Sequence, residues 1–575
     1  MTEHRDDPTP RNRIDRRGFL GAMTAAAIGT DAVAASTSSA RRRVAGPFRA
    51  SSQPNILVIV VDELRSARWF GAGRAGQVAL PPAAASLASQ GVSFQRHYTA
   101  SNDCSPARST LVTGLHTHQT GVMITGDSTL DPAFPTWGRM LREQGYGAWW
   151  FGKWHLTSDD RFWTRADGPA ALARYGFDGG TFPSPNGAPG QGWQRDAGIA
   201  DQFESWFAQA SGDEPWCTTV SFVNPHDIAW WWRWTARFPP EASAPPLVGA
   251  LPPNFETPAQ LRARNKPRVQ LSLQDTSATS FGETPFEGPL VLESWLPFLD
   301  LYVKLQLAVD QHIKRVLRVL ASRPAVMQNT VVVFTSDHGE YGSSHGLRGK
   351  GAGVYEEGIR VPLVLTDYSG QLQLVPGARD QLSSSVDVAP LLLTIATGSN
   401  EWRSDPRYAQ IANRADLLAI GQNPGAPGRA FALHATDEVI TEFALLPYAA
   451  DAPLHVAALI TPTHKYATYS NWRPGTIVPS ANGQEAELYD NRTRGGMLEI
   501  ENLAGATAEE EALQEQLQQA IMTELRAPLP EHLARAHLHG ISQYHALAAA
   551  AHTTAAVHRM NRVEAIVREI EDRLP

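Results

Sequence analysis

The stretch NILVIVVDE, Asn55 to Glu63, carries an unbroken aliphatic run from Ile56 to Val61 and then stops abruptly at two carboxylates, Asp62 and Glu63. A strand with one wet face alternates apolar and polar residues, whereas a continuous run suits a strand buried on both faces of a mostly parallel sheet. The same design recurs downstream. GYGAWWFGKWH ends in Lys153 and His155, CTTVSFVNPHD in His226 and Asp227, and NTVVVFTSDHGE in Asp337 and His338. Between these runs, FPTWGRMLREQG and FLDLYVKLQLAVDQHIKRVLRVLASR place apolar residues at helical spacing. Strands alternating with helices predict an α/β fold, a large mostly parallel or mixed sheet sandwiched by helices. Ligands of such sheets gather at the carboxyl ends of the strands, where all four polar breaks fall.

The catalytic domain is expected over residues 54–429. From about Ala430 the runs shorten (VAALITPTHKYATYS, EAELYDN), which predicts a smaller C-terminal α+β domain over 430–527 and a helical extension over 528–575. Two intervals, Arg161 to Gly192 and Phe238 to Pro285, lack period and read as long irregular lids or pocket walls.

The chain has 575 residues and a formal net charge of -8, and its basic residues do not cluster beyond the first 43 positions, which argues against a nucleic-acid surface. Near the start, Arg16 and Arg17 precede a short Ala/Gly-rich run and the small-residue site Ala32-Val33-Ala34. This resembles a twin-arginine export signal over 1–35, followed by a Ser/Arg-rich linker over 36–53, and predicts an exported, periplasmic or secreted protein handled by the twin-arginine machinery. Only two cysteines occur, so no disulfide framework exists even for an oxidising destination. Cys217 lies in an apolar run and reads as core. Cys104, in SNDCSPARST, has polar neighbours and precedes a helix that Pro106 helps to start.

Asp62 and Asp337, each after a buried strand, are hard oxygen ligands for a divalent cation, with Glu63 and His338 beside them. Arg108, Lys153, Lys350, His155 and His226 gather around them as groups for an anion. With Cys104 near a helix N-terminus, that anion also faces backbone N–H groups.

CSPAR matches the C-x-P-x-R motif of type I sulfatases, and STLVTGLHTHQTG resembles the continuation of that signature. NILVIVVDE, GKWHL, VNPHD, FTSDHGE, GKGAGVYEEGIRVPLV and ELYDN resemble further blocks of the family in its order. The resemblance implies the alkaline-phosphatase-like fold and oxidation of Cys104 by a maturation enzyme to Cα-formylglycine, whose hydrate is the nucleophile. It also implies one divalent ion, Ca²⁺ foremost, held by Asp62, Glu63, modified Cys104, Asp337 and His338. One diol hydroxyl attacks the sulfur of a small-molecule sulfate ester, and Asp337 accepts its proton while Arg108 and Lys153 steady the diol. His226 and Lys350 hold the sulfate and assist the departing alcohol, and His155 deprotonates the second hydroxyl to expel sulfate. Covalent catalysis of this kind divides one hard displacement into two easier ones.

Two positions depart from many relatives. Glu63 stands where a second aspartate is common, and His338 where asparagine is common. A nitrogen ligand softens the site and admits Mn²⁺. Phosphonate monoester and phosphodiester hydrolases share that variation, which makes them the alternative reading. A non-catalytic anion-binding relative with unmodified Cys104 is the third, and Lys153, His155, His226 and Lys350 argue against it, because mere binding needs no such set of proton-transfer groups.

IAWWWRW, Ile228 to Trp234, reads either as a lid or as a stacking wall for an aryl, sugar or quaternary-ammonium leaving group. The histidines at 532, 537, 539, 545, 552 and 558 read as a solvated surface. The stripe Val563, Ile566, Val567, Ile570 and Leu574 reads as a docking face, on the enzyme itself or in a homo-oligomer.

Overall fold

In the computed structural model the chain is described over residues 53–66, 80–210, 214–231, 245–441, 444–473, 476–505 and 507–553. The export signal, nearly all of the linker, Trp232 to Trp234 and the stripe from Val563 lie outside these residues. The large sheet is built from β1 (Asn55–Val61), β2 (Val92–Tyr98), β3 (Gly147–Gly152), β4 (Gly179–Gly180), β5 (Trp216–Phe222), β6 (Thr330–Ser336), β7 (Leu363–Asp367) and β8 (Gly377–Ser384). Their order is β4-β3-β5-β1-β6-β7-β2-β8. Every pairing is parallel except those of β7, which runs antiparallel to β6 and β2. The four strands whose ends carry the polar breaks, β3, β5, β1 and β6, are therefore adjacent and parallel, and their ends open on one edge.

The continuous run of β1 is explained by its two covers. Ile56, Val58 and Val60 join a core with Leu111, Trp137 and Leu392 on one face. Leu57, Ile59 and Val61 join Phe203, Val309 and Ile313 on the other. Side chains alternate across a strand, so a strand covered twice needs an apolar residue at every position. Each such side chain, fully buried, contributes roughly 1.5–3 kcal/mol. The helices Cys104–Thr113 and Val388–Thr397 belong to the first face, and Gln191–Gln209 and Leu290–Ala321 to the second.

The interval Phe238 to Pro285, expected to be irregular, contains two helices, Pro258–Ala263 and Arg268–Phe281. The second buries Gln270, Ser272, Gln274, Thr276, Ser277 and Ser280. A helix that buries so many polar residues shows no apolar period in its sequence.

A smaller antiparallel sheet follows, β9 (Ala432–Thr436), β10 (His455–Ile460), β11 (His464–Ser470) and β12 (Glu485–Asp490), in the order β12-β11-β10-β9. One face packs on Tyr341, Tyr355 and Ile359, and the helix Ala508–Ala520 covers the other. The helix Glu531–Thr553 lies against the signature segment. A Cβ on Gly121 would stand 2.3 Å from the Gly540 carbonyl carbon, so only two glycines allow this approach. His537 is drawn in by it, its Nδ1 3.0 Å from the Gln119 carbonyl, while His532 and His539 stay exposed. Among the described residues no helix is long and apolar enough to cross a membrane.

Candidate active site

Asp62, Lys153 and Asp337 directly follow β1, β3 and β6, and His226 follows β5 by four residues. Facing them, the helix Cys104–Thr113 begins at Cys104 itself. Four residues later on the same helix face stands Arg108, so the C-x-P-x-R spacing delivers sulfur and guanidinium to one place. Cys104 Sγ lies 3.2 Å from His338 Nε2, 3.4 Å from Lys153 Nζ and 3.9 Å from Asp62 Oδ1. Arg108 Nε is 2.8 Å from Asp337 Oδ2 and its Nη2 is 3.2 Å from Asp62 Oδ2, while Nη1 donates to the Lys153 carbonyl at 2.6 Å. Lys153 Nζ meets Asp62 Oδ2 at 2.5 Å. All of these side chains are fully buried.

Charges removed from water are expensive unless matched. Here two carboxylates are matched by one guanidinium and one ammonium. Burial alone would raise the Asp62 carboxyl, but the Lys153 ammonium, with the Arg108 guanidinium, holds it well below the usual carboxylate range. His338 Nδ1 lies 3.0 Å from the Gly339 carbonyl and so donates there, which leaves the Nε2 lone pair facing Asp62 Oδ1 at 3.4 Å. Burial also lowers the His338 pKa, favouring the neutral imidazole a metal requires.

Ligand atoms of Asp62, Cys104, Asp337 and His338 all lie within 4.8 Å of one another. Two buried carboxylates and an imidazole presenting its lone pair are a donor set that fits a divalent cation. Glu63 stands slightly apart. Its backbone is left-handed at φ 64, and its carboxylate meets Lys350 Nζ at 3.0 Å and His226 Nε2 at 3.8 Å, grouping with Asp62 and His226. Burial pushes its pKa well above the ordinary value, Lys350 opposing and the neighbouring Glu340 adding to the rise.

Burial, with Lys153 and Lys350 nearby, holds the His226 pKa well below normal. His155 is buried two residues after Lys153 with φ 55, its backbone N–H bonded to Asp160 Oδ2 at 2.7 Å. Burial raises Asp160 to about 7 despite that bond.

Sequence reasoning missed three contributors. Gly187, in a loop whose NGAPG composition signals only a turn, has φ +86, and a Cβ there would stand 2.7 Å from His226 Cε1 and 2.9 Å from Lys153 Nζ. Glu340 shares the Glu63 environment, and Asp160 fixes the His155 turn. Beside His226 and Lys350 a cleft is walled by Trp230, Trp231, Phe281 and Phe298, with Arg348 also in its lining. Trp230 also donates to the Gly187 carbonyl at 2.8 Å and stands edge-on to Phe281. The described part of the tryptophan-rich stretch is therefore both packed and cleft-lining.

The family model Sulfatase matches residues 54–399, more than half of the chain. A curated relative, the uncharacterized sulfatase YidJ of Escherichia coli K12, is 28% identical over 361 residues, which are 59% of this chain and 66% of that protein. Among solved structures, a 2-O GAG sulfatase superposes with a TM-score of 0.59 at 20% identity, covering 84% of this chain and 96% of its own. The phosphonate monoester hydrolase of Silicibacter pomeroyi superposes with a TM-score of 0.60 at 20% identity, covering 84% of this chain and 97% of its own. These two likenesses establish the alkaline-phosphatase-like fold.

Proposed function

Because this chain belongs to the sulfatase family, we propose that it hydrolyses a sulfate monoester to alcohol and sulfate, with residue 104 acting as formylglycine made from cysteine. The observation that carries this reading is the place of Cys104. It opens a helix, and its sulfur lies within 3.4 Å of both Lys153 and His338.

Asp62, Asp337 and His338, joined by Glu63 if its carboxylate turns from Lys350, would hold the cation, Ca²⁺ foremost and Mn²⁺ admitted by the nitrogen ligand. When bound, the cation supplies Lewis-acid stabilisation of charge on the sulfate oxygens. The chain's own groups do the rest. A hydroxyl of the formylglycine hydrate, losing its proton to Asp337, attacks sulfur, and the S–O bond to the alcohol breaks. Arg108 orients the hydrate and Lys153 neutralises charge beside it. His226, uncharged between two lysines, regains a proton when the sulfate brings negative charge next to it, and passes that proton to the leaving alkoxide. His155 then takes the proton of the second hydroxyl, the C–O bond to sulfate breaks, and the aldehyde re-forms and rehydrates. A plain thiol or hydroxyl at residue 104 lacks this exit. Export through the twin-arginine pathway, which carries folded proteins, leaves time for a maturation enzyme to modify Cys104 first.

A second reading, phosphonate monoester or phosphodiester hydrolysis, is favoured by His338 and its ring nitrogen at the metal-binding group. The deciding experiment is a panel of aryl sulfate, choline sulfate, sugar sulfates and phosphonate monoesters on protein whose residue 104 has been analysed by mass. Sulfate esters turned over with the highest kcat/KM support the first reading, and the reverse order installs the second.

A further inference from the structure

Arg348 is a buried cation with no carboxylate. It is 8% exposed, and its hydrogen bonds run to two backbone carbonyls, Nη1 to Trp231 at 3.2 Å and Nη2 to Gly282 at 2.9 Å. No ion pair to it occurs among the described residues. Glu340, whose charge acts on it, is engaged by the Gly342 and Gly349 amides at 3.0 and 2.7 Å. Burial draws its pKa down to about 10, which leaves it cationic at neutral pH. A guanidinium offers five donors in a planar fork and binds carboxylates with two of them. Two backbone carbonyls do not exhaust that capacity, and a buried charge is costly without a counter-charge.

The place of this cation matters more than its burial. Arg348 lines the same cleft as His226 and Lys350, and Trp230, Trp231, Phe281 and Phe298 give that cleft an aromatic wall. A sulfate ester held by His226 and Lys350 has to direct its alcohol part along this cleft. We infer that the cleft selects a sulfate ester whose alcohol has an aromatic body and carries an anionic group, a carboxylate read by Arg348. This rests on the sulfatase reading above and deepens it. A quaternary ammonium is disfavoured, since a second cation would enter beside Arg348 and Lys350 without a counter-charge. A neutral aryl alcohol fills the aromatic wall and leaves the guanidinium unmatched.

The test uses the formylglycine-containing full-length enzyme, its Arg348→Gln variant and its Arg348→Lys variant, all checked for a native melt. Substrates are the sulfates of 3- and 4-hydroxybenzoate and of the corresponding hydroxybenzamides, which differ in charge at nearly constant shape. The readout is the carboxylate-to-amide ratio of kcat/KM within each protein, which cancels any general loss in a variant. The expected result is a ratio of about tenfold or more in the wild type for at least one isomer, near unity in Arg348→Gln and intermediate in Arg348→Lys. A wild-type ratio near one, or an unchanged ratio in Arg348→Gln, overturns the inference. If the modified enzyme turns over no sulfate at all, the sulfatase reading fails on its own. Calorimetric binding of the free hydroxybenzoates against the hydroxybenzamides then decides the cleft: tighter carboxylate binding that Arg348→Gln abolishes supports it, and equal binding overturns it.

Discussion

Cys104 Sγ and His338 Nε2 stand 3.2 Å apart, although one opens a helix and the other stands two residues beyond a strand end. The Gly339 carbonyl holds the other ring nitrogen at 3.0 Å, so the lone pair faces the sulfur and the Asp62 carboxylate. The proposed nucleophile and the proposed nitrogen ligand thereby share one buried cluster.

His338→Asn replaces a nitrogen donor by an oxygen donor. The expected outcome is a shift of metal preference from Mn²⁺ toward Ca²⁺ of about tenfold or more, by analogy with the roughly 10–100-fold affinity losses that follow changes to a ligand's supporting partners. Competitive metal titration of the stripped enzyme measures it, and an unchanged Mn²⁺ to Ca²⁺ ratio removes His338 from the metal.

His226→Ala is expected to slow esters of poor leaving groups by about 10²–10⁴-fold and good ones far less, because a stable phenolate needs little protonation. A series of aryl sulfates of graded phenol acidity reads this as a steeper dependence on leaving-group pKa in the variant. Equal losses across the series take the acid role from His226.

Gly187→Ala puts a methyl 2.7 Å from His226 Cε1 and 2.9 Å from Lys153 Nζ, at a residue with φ +86. Alanine at positive φ destabilises by about 1 kcal/mol or more. Displacing His226 and Lys153 is expected to lower kcat by about 10²-fold, the cost of an ångström-scale misplacement. Calorimetric melting and steady-state kinetics test both halves, and full activity with a lowered melt shows that the glycine serves only the turn.

Asp160 binds its proton more tightly folded than unfolded, since burial raises it from 3.8 to about 7. The stability linked to that proton is complete below about pH 4 and is lost as pH rises toward 7, a total on the order of 4 kcal/mol. Asp160→Asn keeps an acceptor for the His155 N–H and abolishes this component. Urea unfolding at pH 5 and pH 7.5 is expected to show a flatter pH dependence in the variant, and identical slopes contradict the assignment.

The parts of the fold that could be read in the sequence are those where one strong rule acts. Ile56 to Val61 admits no wet face, so its strand had to be covered twice, and the four polar breaks fall at the ends of adjacent parallel strands as the sheet rule requires. Arg268–Phe281 was not readable, because it buries serine, threonine and glutamine and erases the helical stripe. In the site, Asp62, Arg108, Lys153 and Asp337 converge as their motifs suggested. Gly187 was invisible, since its contribution is an absent side chain beside residues some forty positions away. Arg348 carries no motif that separates it from a surface cation, and only its burial beside an aromatic wall gives it a role.

The nucleophile itself is open to direct measurement. Mass analysis of the tryptic peptide containing residue 104, from natively produced enzyme, is paired with turnover of an aryl sulfate by the same sample. The expected result is formylglycine in place of cysteine, in a fraction that tracks kcat across preparations. Cys104→Ser, made where the maturation enzyme accepts only cysteine, is expected to release about one alcohol per site and stall as a covalent adduct. Unmodified thiol in fully active enzyme, or sustained near-wild-type turnover by the serine variant, would contradict the elimination from a formylglycine hydrate.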